Sequence, residues 1–265
     1  IVDKFLYHLP EYRQAKRFKE LGVEISTSSM NRWVHATADK LYGLYAAQME
    51  RVLSAGYIQV DETTHPITDR PGSARKGYIW VVRSVLVPGV FFYYDKGSRS
   101  GEVVLKMLKG YQGALQTDGY AAYSIFEEKK GVLPLGCMAH VRRKFENALT
   151  TTPEAKPALD YIALLYMLEG NLRAEGADWE QIRREREEKA YPILQQMEAW
   201  MKQAFNSCTP KSPLGKAISY AFGMWPRISR YCKEGYYQID NNGVENAIRP
   251  LVVGRKNYLF SGNDS

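Results

Sequence analysis

The pattern of apolar and polar residues predicts two consecutive helices at the start of the chain. Residues 11–22 carry apolar side chains at helical spacing and end in Gly22, a residue that often terminates a helix. A longer amphipathic stretch follows over residues 27–53, with Ser26 or Thr27 as its N-terminal cap. Two helices joined by a short turn that contains glycine are typical of a helix-turn-helix.

Residues 1–55 are therefore interpreted as an N-terminal helical region that binds DNA. In this interpretation Arg32 lies on the exposed face of the second helix, where it contacts DNA, and Trp33 lies on the buried face. The alternative is that these helices only pack against the segments that follow.

Residues 56–150 mix β-rich and helical runs, which indicates the first part of an α/β domain. A short strand runs into Asp61, and two β-rich runs on either side of Pro88 and Gly89 are expected to form a hairpin. A later short strand ends in Asp118. The predicted order is three strands, helix, strand, helix, strand, helix.

Residues 151–235 are rich in helix-forming residues and lack strand patterns, so they are predicted to form an all-helical insertion. Pro192 is expected to kink or split one long helix, and another helix should end near Pro226. Residues 236–265 return to a strand-like stretch followed by a helix, which we interpret as the last part of the α/β domain.

Composition narrows the class of protein. No apolar run approaches the roughly 20 residues that span a bilayer, and the first residues lack the apolar core of a signal peptide. The three cysteines are odd in number and scattered, which suits a reducing cytosol rather than a disulfide framework. The net charge of +7 favours a polyanionic partner. We expect the chain to be a piece of a longer protein.

Three carboxylates are candidate metal ligands. Asp61 and Asp118 each follow a strand core, where open sheets commonly gather their sites. Glu245 follows three capping residues at 240–242, so it should lie in the first turn of a helix, where the dipole favours a negative charge.

These side chains suit phosphodiester cleavage. Carboxylate oxygens are preferred by hard divalent cations such as Mg²⁺. Two such ions about 3.5–4 Å apart activate the nucleophile and stabilise the leaving oxygen, and Asp61 is the candidate bridging ligand. A single Asp after a strand is more often a turn residue or a helix cap, and spacing alone does not show that the three carboxylates meet.

Several long strings of residues resemble the transposases of the insertion sequence 66 family, and together they extend over nearly all of the chain. These strings are DKFLYHLPEYRQAKRFKELGVEIS at 3–26, VDET at 60–63, QTDGYAAY at 116–123, CMAHVRRKF at 137–145 and IDNNGVENAIRPLVVGRKNYLFSG at 239–262.

The resemblance implies an RNase H-like mixed sheet flanked by helices, of the DDE type, with a helical insertion before the Glu. It assigns the catalytic, metal-binding triad to Asp61, Asp118 and Glu245. Mg²⁺ or Mn²⁺, as two ions, would assist hydrolysis at the ends of the element. The freed 3′-hydroxyls would then attack target DNA directly. The family's upstream zinc-binding segment and its C-terminal continuation have no counterpart in this sequence.

Basic residues around the third carboxylate are candidate DNA ligands. Arg249 follows Glu245 by four residues, so both lie on one helical face, and Arg255 and Lys256 come shortly after. The guanidinium fork suits a phosphate group. The alternative for Arg249 is an ordinary surface pair with Glu245, worth about 0.3–0.5 kcal/mol.

A second basic run follows a cysteine. His140, Arg142 and Arg143 are interpreted as contacts to the DNA backbone or to the edge of the active site. The alternative is that Cys137 is buried core and the basic run is a solvated helix face. Cys137 and His140 resemble half of a zinc site, but no second Cys/His pair lies near them in the sequence.

The expected partners are DNA, both element ends and target, a second copy of the chain in the synaptic complex, and helper proteins, but no membrane. The expected location is the bacterial cytoplasm, in association with the nucleoid. Two other functions are compatible with the sequence: an RNase H-like nuclease without strand transfer, and a non-catalytic DNA-binding relic.

Overall fold

The fold is that of a computed structural model, which describes residues 1–70, 73–258 and 261. Contacts divide the chain into two compact units, Ile1–Gly113 with Gly243–Ser265, and Ala114–Asn242. This division does not test the boundaries predicted from the sequence, which lie at residues 55, 150 and 235 and stay a prediction. The elements in chain order are α1 (Val2–Phe5), α2 (Glu11–Glu20), α3 (Thr27–Leu53), β1 (Tyr57–Arg70), β2 (Ser73–Ser84), β3 (Gly89–Tyr93), α4 (Gly101–Met107), β4 (Gly113–Gln116), β5 (Val132–Leu135), α5 (Met138–Leu149), α6 (Lys156–Ala174), α7 (Trp179–Glu185), α8 (Tyr191–Ser207), α9 (Pro213–Ile228) and α10 (Asn242–Tyr258).

The two predicted N-terminal helices are confirmed as α2 and α3, and α2 packs against α3. Gly22 follows the end of α2 with φ of 80°, a conformation that glycine adopts without strain. Ser26 caps α3, because its Oγ accepts a hydrogen bond from the amide of Ser29 at 3.1 Å. Arg32 is exposed as expected. The DNA-binding role of this helix pair stays a prediction.

The prediction that Trp33 lies on a buried face is wrong. Trp33 is 58% exposed, whereas Met30, one turn earlier on the same helix, is buried. Helix α2 packs against α3, and the part of α3 that is covered includes Met30 but leaves the Trp33 indole largely in solvent.

The C-terminal half of α3 is attached to the edge strand β3. The Tyr45 hydroxyl donates to the carbonyl of Phe92 at 3.0 Å, and its ring meets Phe91 edge-on. Gly89 lets the two elements approach closely, because a Cβ there would lie 2.8 Å from Val52 and 2.9 Å from Gln48. Helix α3 is therefore held on the sheet rather than projecting alone.

Strands β1, β2 and β3 form an antiparallel meander, which confirms the hairpin predicted around Pro88 and Gly89. The prediction that the first strand ends at Asp61 is wrong. β1 continues beyond it, and Asp61 pairs with Val81 in the middle of the β1–β2 ladder. Ladder hydrogen bonds join backbone groups, so polar side chains at 61–65 do not end the strand.

In the second unit, the strand predicted to end in Asp118 is β4, which ends at Gln116, so Asp118 lies two residues beyond it. The amide of Thr117 donates to the carbonyl of Leu135 in β5 at 3.3 Å, which joins the ends of the two strands. The predicted helix after Asp118 is a 3₁₀ helix over Ala121–Phe126. Across the five-stranded sheet the strands follow the order β3-β2-β1-β4-β5. The α/β class and the predicted order of strands and helices are confirmed.

The region 151–235 is helical in the structure, as predicted. Pro192 lies at the start of α8, directly after a π-helical turn over Arg186–Ala190 that separates α8 from α7. A widened turn of this kind accommodates a proline, which has no amide hydrogen to donate to the preceding turn. Pro226 lies inside the last turn of α9, so the predicted helix end is also confirmed. No helix in the described part of the chain has the length and apolar content that a membrane crossing requires.

The prediction of a strand-like stretch after residue 235 is wrong, because the described residues 236–240 form no strand. Their carbonyls have other partners. The buried side-chain amide of Gln116 donates to the carbonyls of Gln238 and Gly136, each at 2.8 Å. The amide of Met138, at the start of α5, donates to the carbonyl of Ile239 at 3.0 Å. These bonds take the place of a strand ladder.

A buried ion pair stabilises the helical insertion. The Arg186 guanidinium, 2% exposed, donates to both carboxylate oxygens of Glu169 at 2.8 and 2.7 Å. It also donates to the carbonyls of Tyr231 and Glu234 at 3.1 and 2.7 Å, and its centre lies 4.9 Å from the Tyr231 ring. One side chain thus joins α6, the π-helical turn and the segment after α9.

We expect Arg186→Ala to lower the free energy of unfolding by about 3–5 kcal/mol, because it leaves the Glu169 carboxylate buried without its partner. Urea unfolding followed by circular dichroism measures this change. Arg183→Ala is the matched control, since Arg183 pairs with Glu180 and Glu187 at the surface of the same helical segment. Equal midpoints for the two variants would contradict a stabilising role of the buried pair.

Candidate active site

Asp61 lies in the middle of β1 and is partly exposed. Its Oδ1 accepts a hydrogen bond from the amide of Glu62 at 2.8 Å. Side chains alternate along a strand, so Asp61 shares a face with Gln59 and Thr63. The Glu62 carboxylate points to the opposite face, where it accepts a hydrogen bond from Arg99 Nε at 2.8 Å.

The start of α10 lies directly on the Asp61 face of the sheet. The Arg83 guanidinium donates to the side-chain oxygen of Gln59 at 3.1 Å. Gly243 rests on this pair, since an added Cβ would lie 2.6 Å from both side chains. A side chain at residue 243 would require the Gln59 and Arg83 side chains to shift.

The next turns of α10 bury their apolar side chains on the same face. Val244 and Ile248 form a buried cluster with Val81, the residue paired with Asp61 across the ladder. Glu245 follows Val244 directly and lies in the first turn of α10, as predicted. The structure therefore places Glu245 and Asp61 on the same side of the β1–β2 ladder.

The other end of α10 is fixed to the continuation of β1. The Arg255 guanidinium donates to Thr64 Oγ1 at 3.0 Å, to Thr63 Oγ1 at 3.3 Å and to the Thr64 carbonyl. Ser261 forms a parallel bridge with Ile67, and its hydroxyl lies 2.7 Å from Nε2 of His65. Contacts at both ends thus align α10 along β1.

Burial lowers the pKa of His65, and the nearby Arg255 charge lowers it further. Both causes favour the neutral imidazole over the imidazolium. The sequence did not assign His65 a role. The structure places the His65 imidazole against Ser261, which lies three residues beyond the end of α10.

Asp118 belongs to the second unit, where a tight turn determines its orientation. Its Oδ1 accepts a hydrogen bond from the amide of Tyr120 at 2.8 Å, and its carbonyl accepts one from the hydroxyl of Tyr220 at 2.7 Å. Gly119 between them has φ of 84° and lies against Met224. Burial, and then the Asp118 charge, raise the pKa of the Tyr220 hydroxyl, so Tyr220 stays a hydrogen-bond donor.

The predicted DNA-binding residues of α5 differ in environment. Arg142 and Arg143 are exposed, and Arg142 pairs with Glu146 at 2.8 Å. His140 is partly buried, and its Nδ1 lies 3.2 Å from the sulfur of Cys137. Burial raises the pKa of the Cys137 thiol to about 12, so the sulfur is neutral at physiological pH.

On α10, the predicted ligands Arg249 and Lys256 are exposed, whereas Arg255 is partly buried against the two threonines. Arg255 binds neutral oxygen atoms there and keeps its positive charge. Gln59, Arg83 and Gly243 were not identified from the sequence. The one available signal was the alternation of Gln59 and Asp61 on one face of an otherwise apolar strand.

The three carboxylates are not all in one unit. Asp61 and Glu245 belong to the first, and Asp118 belongs to the second. Among the residues that the structure describes, no group of three or more His, Cys, Asp or Glu side chains is arranged to hold one metal ion. The predicted triad therefore stays a prediction, with two of its members on one face of the β1–β2 ladder.

Comparison with known proteins assigns the family. The chain is 33% identical over 283 residues to the uncharacterized protein y4qI of Sinorhizobium fredii. It is 30% identical over 280 residues to the uncharacterized protein y4jD of the same organism. The alignments include 99% of this chain but 51% and 54% of those proteins, so the chain spans about half the length of the curated relatives that it matches. A sequence model described as the Transposase IS66 family matches residues 1–265, and the chain belongs to that family.

Proposed function

We propose that this chain is the catalytic part of a DNA transposase that cleaves the ends of a mobile element and joins the 3′-hydroxyl ends to target DNA. The observation that carries the proposal is the placement of Glu245 on the Asp61 face of β1, in a chain that belongs to a transposase family. Phosphodiester cleavage and joining both require negative charge to be stabilised on the attacking and leaving oxygens.

Asp61, Asp118 and Glu245 are the proposed ligands of two Mg²⁺ or Mn²⁺ ions. Carboxylate oxygens suit these hard cations, and backbone amides at 2.8 Å orient the Oδ1 atoms of Asp61 and Asp118. When bound, the ions would supply activation of the nucleophile and charge stabilisation at the leaving oxygen.

Exposed basic residues would hold the DNA backbone. Arg249 and Lys256 lie on the helix of Glu245, and Arg142 and Arg143 lie on α5. Their charges are accessible to phosphates, which suits positioning rather than base recognition. Arg32 on α3 would contribute to the same backbone contacts through the N-terminal helices.

Arg255 would act differently from these exposed residues. Its hydrogen bonds to Thr63 and Thr64 join α10 to β1, so we propose that it orients the helix that carries Glu245. His140 would support Cys137 and the start of α5 rather than contact a phosphate directly.

The whole protein's partners are also proposals. A transposase that brings two element ends together needs at least a second copy of the chain in the synaptic complex, and helper proteins would act on the assembled complex. The relatives are about twice as long as the aligned segment, so element-end recognition would involve segments outside it.

We expect Asp61→Asn, Asp118→Asn and Glu245→Gln each to reduce cleavage of a labelled element end by about 1,000-fold or more. Loss of a metal ligand removes several kcal/mol of transition-state stabilisation, and each 1.36 kcal/mol is tenfold in rate. DNA affinity without metal should change little. Gel electrophoresis of end-labelled substrate with Mg²⁺ or Mn²⁺ measures the rate.

Asp160→Asn is the control for these variants, because Asp160 pairs with Lys156 on the surface of α6. Wild-type rates in all three triad variants would refute the assignment. The same gels distinguish strand transfer from simple hydrolysis: joined products support the transposase, and cleavage without joined products would indicate a nuclease.

We also expect the DNA affinity to fall steeply with salt, because bound Lys and Arg side chains release counterions from the phosphates. The double variant Arg142→Ala/Arg143→Ala should reduce the magnitude of the slope of log K against log salt by about 1.8, because each of the two lost phosphate contacts contributes about 0.9. Fluorescence anisotropy with duplex DNA at several salt concentrations measures the slope.

Arg183→Ala/Arg184→Ala is the matched control, since it removes two adjacent helical arginines of the same unit that have no proposed DNA contact. A slope that does not change in the α5 variant, or that changes equally in both, would exclude Arg142 and Arg143 as phosphate ligands.

A further inference from the structure

An open groove of about 960 Å³ lies in the first unit, between α1, α3, the β1–β2–β3 meander and α10. Its size is within the range of about 300–1,000 Å³ that encloses ligands as large as a nucleotide. The triad does not include any residue of this groove, although Arg255 and the second half of α10 form one of its walls.

The groove has a positive lining. Lys4 and Arg255 are the cationic side chains of the lining, whereas no Asp or Glu among the described residues contributes to it. Lys4 is paired with Glu11 at 2.6 Å, but the oxygens that bind Arg255 are neutral, so the guanidinium keeps its full charge. Such a lining complements an anionic ligand.

Aromatic rings contribute to the same lining. Phe5 on α1 is 54% exposed, Phe92 on β3 is 37% exposed, and Tyr258 lies at the end of α10. A positively charged groove with accessible aromatic rings is the arrangement that binds single-stranded nucleic acid, because bases stack on the rings while cations hold the phosphates.

Two polar atoms of the lining are buried and have no hydrogen-bond partner among the residues that the structure describes. They are Nδ1 of His65 and the hydroxyl of Tyr258. Buried polar groups ordinarily have partners, and an unpaired one is destabilising. Because neither atom is exposed to the groove, an occupant would satisfy them only if the side chains turned toward it.

We propose that this groove binds unpaired nucleotides of a DNA strand, with bases on the aromatic rings and a phosphate at Arg255. The inference rests on the proposed function for the identity of the strand. Gly254 of the lining follows Glu245 by nine residues, which is about 14 Å along a helix axis. The bound bases would therefore lie about 14 Å along α10 from Glu245.

The test uses the full chain without metal and a 12-nucleotide single strand that contains 2-aminopurine, whose fluorescence falls when it stacks. We expect quenching on binding, and Phe5→Ala should weaken the affinity by about 5- to 150-fold, the range for loss of one stacked base. Phe5→Tyr, which keeps the ring, should bind as the wild type does. Binding of the matching duplex should be unaffected by either variant.

Tyr7→Ala is the matched control, because Tyr7 is a more exposed aromatic residue just beyond α1 that does not contribute to the groove. Equal losses in Tyr7→Ala and Phe5→Ala would overturn the proposal, and so would wild-type single-strand affinity in Phe5→Ala. An absence of oligonucleotide binding would also overturn it.

The metal-free readout separates this proposal from the proposed function. Asp61→Asn should keep the single-strand affinity and the quenching of the wild type while it loses cleavage. If cleavage is normal but Phe5→Ala does not change single-strand binding, the proposal for the groove is refuted and the proposed function is not. If the transposase assignment fails but the quenching is intact, the groove remains a site for single-stranded nucleic acid.

Discussion

The close contact of α10 with β1 and β2 is the constraint on which the arrangement of the first unit depends. At its start, Gly243 rests on the hydrogen-bonded pair of Gln59 and Arg83, where an added Cβ would lie 2.6 Å from each side chain. At its end, Arg255 donates to threonines of β1. Burial of valine and isoleucine side chains on Val81 stabilises the turns between these two contacts. The helix is therefore fixed in position along β1 and in rotation about its own axis.

The same helix has two chemically different parts. Its first turn carries Glu245 on the face of the ladder that also carries Asp61, which is the basis of the proposed metal chemistry. Its last turns form one wall of the positive, aromatic-lined groove. A rigid helix keeps a fixed separation between the two, so a strand bound in the groove would be held at a set distance from Glu245.

Most of the local structure could be predicted from the sequence, and the exceptions have specific causes. The helix caps at Ser26 and Gly22 and the order of strands and helices follow from short-range rules that act within a few residues. The end of β1 does not follow from such rules, because pairing with β2 continues the strand past its polar side chains. The stretch at 236–240 was misjudged because the Gln116 side chain and the first amide of α5 bind its carbonyls, and both partners are distant in sequence.

The sequence by itself determined the family, the α/β class and the identity of the three candidate carboxylates, because these depend on residue types and their order along the chain. Only the tertiary structure decided that Glu245 lies on the Asp61 face, that Arg255 binds β1, and that Phe5 and Arg255 share a groove. Each of these relations joins residues from elements far apart in the chain. Side-chain packing and backbone hydrogen bonds bring such residues together, and neither can be deduced from local periodicity.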